Sequence, residues 1–134
     1  MQEENFKSIR ERERKQKEAE IRTKCETHAI KNFGGEDTIV KLSNKHKGLF
    51  YLPIFDEDGE IEKMGIFKPI DKEILNYAST KIESDGLYTF LEVCMRECWL
   101  DGDAEILDDK DYFLPAANQF NKIIDGKKAA LVKR

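Results

Sequence analysis

The spacing of hydrophobic and polar residues separates a long polar stretch from a region of strands and a region of helices. Residues 3–32 contain no proline or glycine and are dense in Glu, Lys, Arg and Gln, which favour helix. Several Glu–Lys or Glu–Arg pairs lie four residues apart with the acid first, and each stabilises a helix by roughly 0.2–0.5 kcal/mol. Gly34 and Gly35 supply a stop. We therefore predict one long charged helix.

Hydrophobic residues occupy only the two ends of this helix. Phe6 and Ile9 form a small apolar spot near its start, and a second stripe covers its last three turns. Between residues 10 and 20 only Ala19 is apolar, so the sustained apolar positions of a coiled coil are absent. We expect residues 1–33 to form a charged helical arm whose last third docks on the domain and whose first part projects into solvent.

Two interpretations of the arm stay open. It is either a solvated, frayed helix without a role, or an arm that anchors through Phe6 and Ile9 onto a partner or a second copy. The first 33 residues carry nine Lys/Arg and seven Asp/Glu, a net charge of +2, and the remainder carries 14 and 20, a net charge of −6. This charge asymmetry fits contact between the arm of one copy and the remainder of a neighbouring copy. Nucleic acid is disfavoured, because phosphates require cations without interleaved acids.

Three stretches after the arm predict β-strands. Residues 38–43 are β-branched and partly alternating, residues 49–55 are strongly apolar and aromatic, and residues 60–68 carry spaced apolar positions. An Asp-Gly turn signal joins the second to the third. Pro53 belongs at a sheet edge or a bulge, and the slipped alternation of the third stretch indicates a bulge or two strand ends. We predict a three-stranded antiparallel meander.

The remaining chain has helical periodicity. Asp71 is a suitable N-cap, and turns are expected at residues 84–86 and 101–103. Pro115 is expected in the first turn of the last helix, and residues 127–134 form a basic tail. The apolar stripes comprise Ile74, Leu75, Ala78 and Ile82, then Leu87, Phe90, Leu91, Cys94 and Cys98, and then Phe113, Ala116, Ala117, Phe120 and Ile124.

Length and composition support one domain beside the arm. The 134 residues suffice for one hydrophobic core and are too few for two ordinary ones. No apolar run approaches the roughly 18 residues of a membrane span, and the N-terminus lacks the apolar core of a secretion signal. The expected fold class is α+β. It comprises the arm over residues 1–33 and a single domain over residues 37–134, with the meander and a C-terminal bundle of about three helices.

Residues suited to catalysis or metal binding are few. Cys94 and Cys98 lie four residues apart on a helical stripe, and as metal ligands they would require two more from elsewhere. The remaining candidates, none at zinc-finger spacing, are Cys25, His28 and His46. An odd number of cysteines indicates free thiols in a reducing compartment, so we interpret them as buried free cysteines. We predict no catalytic residue, no metal and no cofactor.

Acidic residues concentrate in two segments. Residues 56–59 fail the EF-hand pattern because loop positions 1 and 12 fall on Ile54 and Gly65, so a plain hairpin turn is the better interpretation. Residues 101–111 form either a solvated loop that caps the last helix or a docking surface for a basic partner, such as a neighbouring copy's arm. The candidate partner-binding acids are Asp101, Asp103, Glu105, Asp108 and Asp109.

Over residues 49–127 the order of segments resembles small phage proteins of the tail assembly chaperone kind. In those proteins a strand with a lysine–proline pair leads into a helix, a second helix ends in a Cys–Trp-like pair and a Gly-Asp acidic turn, and a last helix follows. The matching residues here are Phe67, Lys68, Pro69, Cys98, Trp99, Gly102 and Asp103. The long charged helix departs from this compact pattern.

The resemblance implies a non-enzymatic assembly protein that acts by protein–protein contacts in the host cytoplasm. Its partners would be other phage structural proteins or copies of itself, with no membrane and no small-molecule substrate, and nucleic acid stays disfavoured. The alternatives are a structural component retained in the virion (capsid, neck or tail) and a small regulatory protein-binding module. An enzyme is disfavoured because the sequence shows no Gly-rich phosphate loop and no nucleophile beside a base.

Overall fold

The structure, a computed structural model, describes residues 2–125 and 131–134. Within that part, seven helices and three strands follow one another, and the fold is α+β as predicted. Contacts separate the chain into a first unit that ends at Ile39 and a second that begins at Val40. The helices are α1 (Gln2–Asn32), α2 (Glu36–His46), α3 (Lys72–Ser79), α4 (Ile82–Asp85), α5 (Leu87–Cys98), α6 (Glu105–Asp108) and α7 (Lys110–Asp125). The strands are β1 (Phe50–Phe55), β2 (Ile61–Phe67) and β3 (Trp99–Gly102).

The first helix, α1, confirms the predicted long charged helix. Side chains from residue 6 to residue 24 are exposed, whereas Cys25 and Ala29 are buried. The helix ends before Gly34 and Gly35, both of which have positive φ angles (98° and 87°) that other residues rarely adopt. Glycine therefore terminates α1, as the sequence indicates.

Helix α2 corrects the prediction of a first strand over residues 38–43. Acids at the start of α2 and Lys45 and His46 at its end complement the helix dipole. Ile39, the buried residue of α2, lies one turn from the half-buried Leu42, so helical spacing outweighs the β-branched composition. The helix ends in a C-cap, where Lys47 has a φ of 58° and the Gly48 N–H donates to the Ser43 carbonyl at 2.9 Å.

The hairpin between β1 and β2 confirms the Asp-Gly turn signal. Asp56 organises it, because its Oδ1 accepts the N–H groups of Asp58 at 2.9 Å and of Glu60 at 3.0 Å. The Asp56 N–H also donates to the Glu60 carbonyl at 2.8 Å, and Gly59 adopts a φ of 79°. The acidic side chain at the start of this turn thus has a structural role.

A bulge in β2 confirms the slipped alternation. Consecutive residues of β1 pair with Ile61 and Lys63, which leaves Glu62 outside the pairing. The Glu62 carboxylate accepts the hydroxyl of Tyr112 at 2.9 Å. Pro53 lies in β1, which is an edge strand, as expected for a residue without an N–H.

The sheet has the predicted three antiparallel strands, but its third member is β3 and not residues 38–43. Its order is β1-β2-β3, so the chain forms the hairpin, passes through α3, α4 and α5, and returns beside β2. The residues of β3 were predicted as a helix end and a turn. Their extended form depends on pairing with β2, which lies more than 30 residues earlier in the chain.

The predicted helical half is present with altered boundaries. Asp71 is the N-cap of α3, and its Oδ1 accepts the Ile74 N–H at 2.8 Å, as predicted. The first stripe is split, because α3 ends at Ser79 and Ile82 begins the short α4 with 44% of its surface exposed. Leu87, at the first position of α5, is 53% exposed, so it lies outside the core stripe to which it was assigned.

The last helix corrects the placement of Pro115. Helix α7 begins at Lys110, so Pro115 lies in its second turn and not in its first. Proline removes the N–H that would donate to the Asp111 carbonyl, and both residues are exposed, so water can satisfy that carbonyl. The expected end at Gly126, and residues 127–130 of the basic tail, lie outside the described residues.

The core of the second unit joins the sheet to the helices. Helix α3 packs on α5, α7 packs on α5 and on β1, and α6 packs on α7 and β2. Phe67 lies at the centre. Its ring centroid is 5.1 Å from that of Phe120 and 5.3 Å from that of Trp99. The buried core residues are Leu52, Phe67, Ile74, Ala78, Phe90, Leu91, Cys94, Met95, Cys98, Ile106, Ala116, Ala117 and Phe120.

Candidate functional site

The residues on which the phage-protein resemblance rests meet at one junction between β2 and β3. The Lys68 N–H, just beyond β2, donates to the Cys98 carbonyl at 2.8 Å. The Phe67 ring contacts the Trp99 ring edge-on, at an interplanar angle of 86°. Aromatic pairs prefer this edge-to-face arrangement. The two halves of the pattern therefore form a single packed unit.

The glycine and the acid of the same pattern complete this junction. Met64 and Asp103 exchange two hydrogen bonds, from the Asp103 N–H to the Met64 carbonyl at 2.8 Å and from the Met64 N–H to the Asp103 Oδ2 at 2.9 Å. Gly102 has a φ of 134°, and a Cβ there would overlap the Met64 carbonyl oxygen and lie 2.8 Å from Gly65 Cα. The strands therefore approach too closely for any other residue to fit without a backbone shift.

The five candidate acids of the acidic segment (residues 101–111) do not form one free surface. Asp101 Oδ1 accepts the neighbouring Gly102 N–H at 2.8 Å, and Asp103 is half-buried in its bonds to Met64. Asp109 precedes α7, and its Oδ1 accepts the Asp111 N–H at 2.9 Å, as an N-cap residue does. These three acids hold backbone in place, which supports the capping interpretation of the segment.

The other two acids of the segment already have cationic partners. Glu105 lies 3.6 Å from Lys63 Nζ. Asp108 accepts a hydrogen bond of 2.9 Å from Arg96, which also contacts Glu92 at 3.1 Å. The hydrogen bond to Asp108 raises the pKa of Arg96. An open groove of about 500 Å³ runs past these acids, with Lys110 among its lining residues. The negative charge along this groove is therefore partly compensated by the neighbouring Lys and Arg side chains.

The two candidate anchors of the arm are exposed on α1. Phe6 has 62% of its surface exposed and Ile9 has 47%.

Four cations of α1, which we call the cation stripe, lie at successive spacings of three, four and three residues and are all exposed: Lys7, Arg10, Arg14 and Lys17. This spacing places them on one face of a helix. None of their side chains forms a hydrogen bond or ion pair with another described residue.

The cysteines are free and buried, as predicted. Burial raises the pKa of Cys94 to about 11 and that of Cys98 to about 12, and it also raises the pKa of Cys25. Thiols with such pKa values are poor nucleophiles at neutral pH. Among the described residues, no group of three or more His, Cys, Asp or Glu side chains could hold a metal ion.

A second groove, of about 330 Å³, is lined by residues of α3 and α5, and we call it the α3–α5 groove. Its lining residues are Glu73, Ile74, Tyr77 and Glu97. Tyr77 is 56% exposed and both glutamates are exposed. Unlike those of Glu105 and Asp108, the carboxylate of neither glutamate forms a hydrogen bond or ion pair with a described residue.

Comparison with known proteins gives no relative. No family model, curated protein or solved structure matches the chain. Among the described residues, no helix has the length and apolar character that crossing a membrane requires. The surfaces described above are therefore the basis for a functional proposal.

Sequence reasoning missed both the cation stripe and the α3–α5 groove. The stripe has a readable signal, because its spacing of three and four residues is visible once the arm is known to be helical. Glu73 and Tyr77 also lie four residues apart and so share a helix face. Glu97 joins them only because α3 packs on α5, and no local pattern in the sequence contains that contact.

Proposed function

We propose that this chain is a non-enzymatic phage assembly protein, of the tail assembly chaperone kind, that acts by protein–protein contacts. The observation that carries the proposal is the exposure of α1 from residue 6 to residue 24, including the aromatic and aliphatic side chains of Phe6 and Ile9. An amphipathic helix with a few apolar anchors is a common way to enter a groove on another protein.

The junction between β2 and β3 supports the phage-protein part of the proposal. Its matching residues are distant in sequence, yet Lys68 bonds to Cys98 and Phe67 packs on Trp99. A pattern whose members contact one another constrains a fold more strongly than the same residues scattered over a surface. The residues that carry the resemblance thus belong to one structural element of this chain.

A component retained in the virion is the second candidate, and the length of α1 favours it. Thirty-one residues in a helix span roughly 46 Å at 1.5 Å per residue. A helix of that length can bridge to a neighbouring subunit in a particle. A chaperone would act in the host cytoplasm and then leave, whereas a retained component would remain in the finished particle.

Isolation of the complex from the native host tests both candidates. We would express the tagged full-length chain during phage assembly, cross-link, purify and identify partners by mass spectrometry, beside a Phe6→Glu/Ile9→Glu variant. We expect defined phage structural proteins with the unaltered chain and fewer with the variant. Absence of the chain from purified particles supports the chaperone, and its presence supports the retained component. Recovery of the chain alone, or equal recovery with the variant, contradicts the proposal.

A further inference from the structure

The cation stripe of α1 presents a linear array of positive charge to solvent. From Lys7 to Lys17 it covers about 15 Å along the helix axis. Four glutamates lie between residues 11 and 20. The helical period places them beside the stripe, on both of its sides. Flanking carboxylates would repel a continuous phosphate backbone, but they leave room for a partner with a few discrete acids.

The α3–α5 groove offers a matching site for such cations. The exposed ring of Tyr77 lies with the carboxylates of Glu73 and Glu97 in one concave surface. A guanidinium or ammonium group can stack on an aromatic face and donate charge-assisted hydrogen bonds to neighbouring carboxylates, and the two interactions together favour Arg over a neutral side chain. The groove therefore fits a basic side chain better than an apolar one.

The acidic segment is the competing site, and the ion pairs decide between the two. Glu105 and Asp108 already contact Lys63 and Arg96, so an incoming cation would have to compete with an existing partner. Glu73 and Glu97 have no such partner among the described residues. A new cation thus gains more at the α3–α5 groove.

We infer that the cation stripe of one copy docks on the α3–α5 groove of a second copy. The first 33 residues carry a net charge of +2 and residues 34–134 carry −6, so the arm of one copy and the remainder of another have opposite net charges. The stripe is exposed in the single chain and thus available to another molecule. This inference deepens the proposed function, on which it rests, by naming a partner for two surfaces. Reciprocal docking closes a dimer, and one-way docking forms a ring or filament.

Sedimentation of the full-length chain with paired charge reversals tests the contact. The arm variant is Arg10→Glu/Arg14→Glu, and the groove variant is Glu73→Lys/Glu97→Lys. The matched control, Arg12→Glu/Lys15→Glu, makes the same change in net charge on the opposite side of α1. We expect the unaltered chain to self-associate, with a dissociation constant that rises with salt. Each test variant should raise that constant roughly tenfold or more, because like charges then face each other.

Mixing the two test variants separates this contact from a general effect of charge. The acidic arm of the first variant can face the basic groove of the second, and the unaltered stripe of the second can face the unaltered groove of the first. We expect the mixture to associate when neither variant does alone. Should the groove variant not fold by circular dichroism, Glu73→Gln/Glu97→Gln replaces it. That version should weaken association when alone, and its unaltered stripe can still dock on the unaltered groove of the arm variant in the mixture.

Several results would overturn the inference. They are a monomeric unaltered chain at every concentration, an equal loss with the Arg12→Glu/Lys15→Glu control, and no recovery in the mixture of charge-reversed variants. The proposed function has a separate readout, since capture of phage structural proteins does not require self-association. A chain that stays monomeric yet captures those proteins would refute the docking of copies and leave the assembly function standing.

Discussion

Asp103 and Met64 hold β3 against β2 through a reciprocal pair of hydrogen bonds at 2.8 and 2.9 Å, one of them made by the Asp103 carboxylate. This acid was predicted as part of a docking surface. It extends the strand pairing one residue beyond Gly102, and its carbonyl then accepts the N–H of Ile106 in α6 at 3.1 Å. Asp103 thus joins the sheet to the next helix. Its carboxylate takes the place of a backbone acceptor in the strand pairing, and its carbonyl accepts the bond from α6.

Asp103→Ala should lower the free energy of unfolding by about 1–3 kcal/mol, because the N–H of the buried Met64 loses its acceptor. Asp103→Asn keeps a carbonyl oxygen and should cost less. Urea denaturation measures both. The control is Asp101→Ala, which removes only a contact to the adjacent N–H of Gly102. Equal losses for Asp101→Ala and Asp103→Ala would contradict a special role for the Asp103 carboxylate.

Gly102→Ala should destabilise the protein more than Gly48→Ala does. Both glycines have strongly positive φ angles, 134° and 123°, so both substitutions strain the backbone by about 1 kcal/mol or more. Only at Gly102 would the new Cβ also overlap the Met64 carbonyl oxygen, whereas at Gly48 no atom lies within 4 Å. Thermal unfolding of the two variants compares them. Equal shifts would show that φ strain alone, and not the close approach of the strands, requires glycine.

Leu91→Ala should lower the free energy of unfolding by about 2–5 kcal/mol, since Leu91 is 1% exposed and lies in the core. Leu87→Ala makes the same chemical change one turn earlier in α5, where 53% of the side chain is exposed. It should change the stability by about 0.5 kcal/mol or less. Urea denaturation of both variants measures the difference. A loss for Leu91→Ala no larger than that for Leu87→Ala would refute the assignment of the buried face.

Elements that depend on nearby residues could be predicted from the sequence. Helix α1 follows from its composition and its glycine stop, and the hairpin follows from Asp56 and Gly59, whose turn bonds are local. The Asp71 N-cap is local as well. The hairpin and N-cap bonds join residues within five positions of one another, and α1 depends on one continuous stretch, so a window of sequence contains each interaction.

Elements that depend on pairing with distant residues could not be predicted from the sequence. The residues of β3 carry turn-like Asp and Gly, and only β2 supplies the hydrogen bonds that extend them. Residues 38–43 have β-branched composition, yet the sheet takes β3 as its third strand and α2 forms instead. The α3–α5 groove has the same origin, because Glu97 reaches Tyr77 through helix packing. Composition describes these residues but does not identify their neighbours.

Cys98 should make stability fall as the pH rises above about 9. Its pKa is about 12 in the folded protein and its ordinary value is 9.0, so the unfolded chain loses the proton first and is favoured by alkali. The contribution is present in full below pH 9 and is lost between about pH 9 and pH 12. The free energy of unfolding should therefore fall less between pH 8 and pH 10.5 in Cys98→Ala than in the unaltered chain. The same fall in both would contradict the raised pKa.

Phe6→Ala/Ile9→Ala should leave folding unchanged and weaken assembly. Because 62% and 47% of these side chains are exposed, the helix content and the unfolding curve should match those of the unaltered chain. Recovery of phage structural proteins from the host should fall, since an apolar anchor contributes to binding only when a partner covers it. Ile21→Ala, on the same helix with 45% exposure, provides the control. If Ile21→Ala reduces recovery as much, α1 binds by its general character and Phe6 and Ile9 are not anchors.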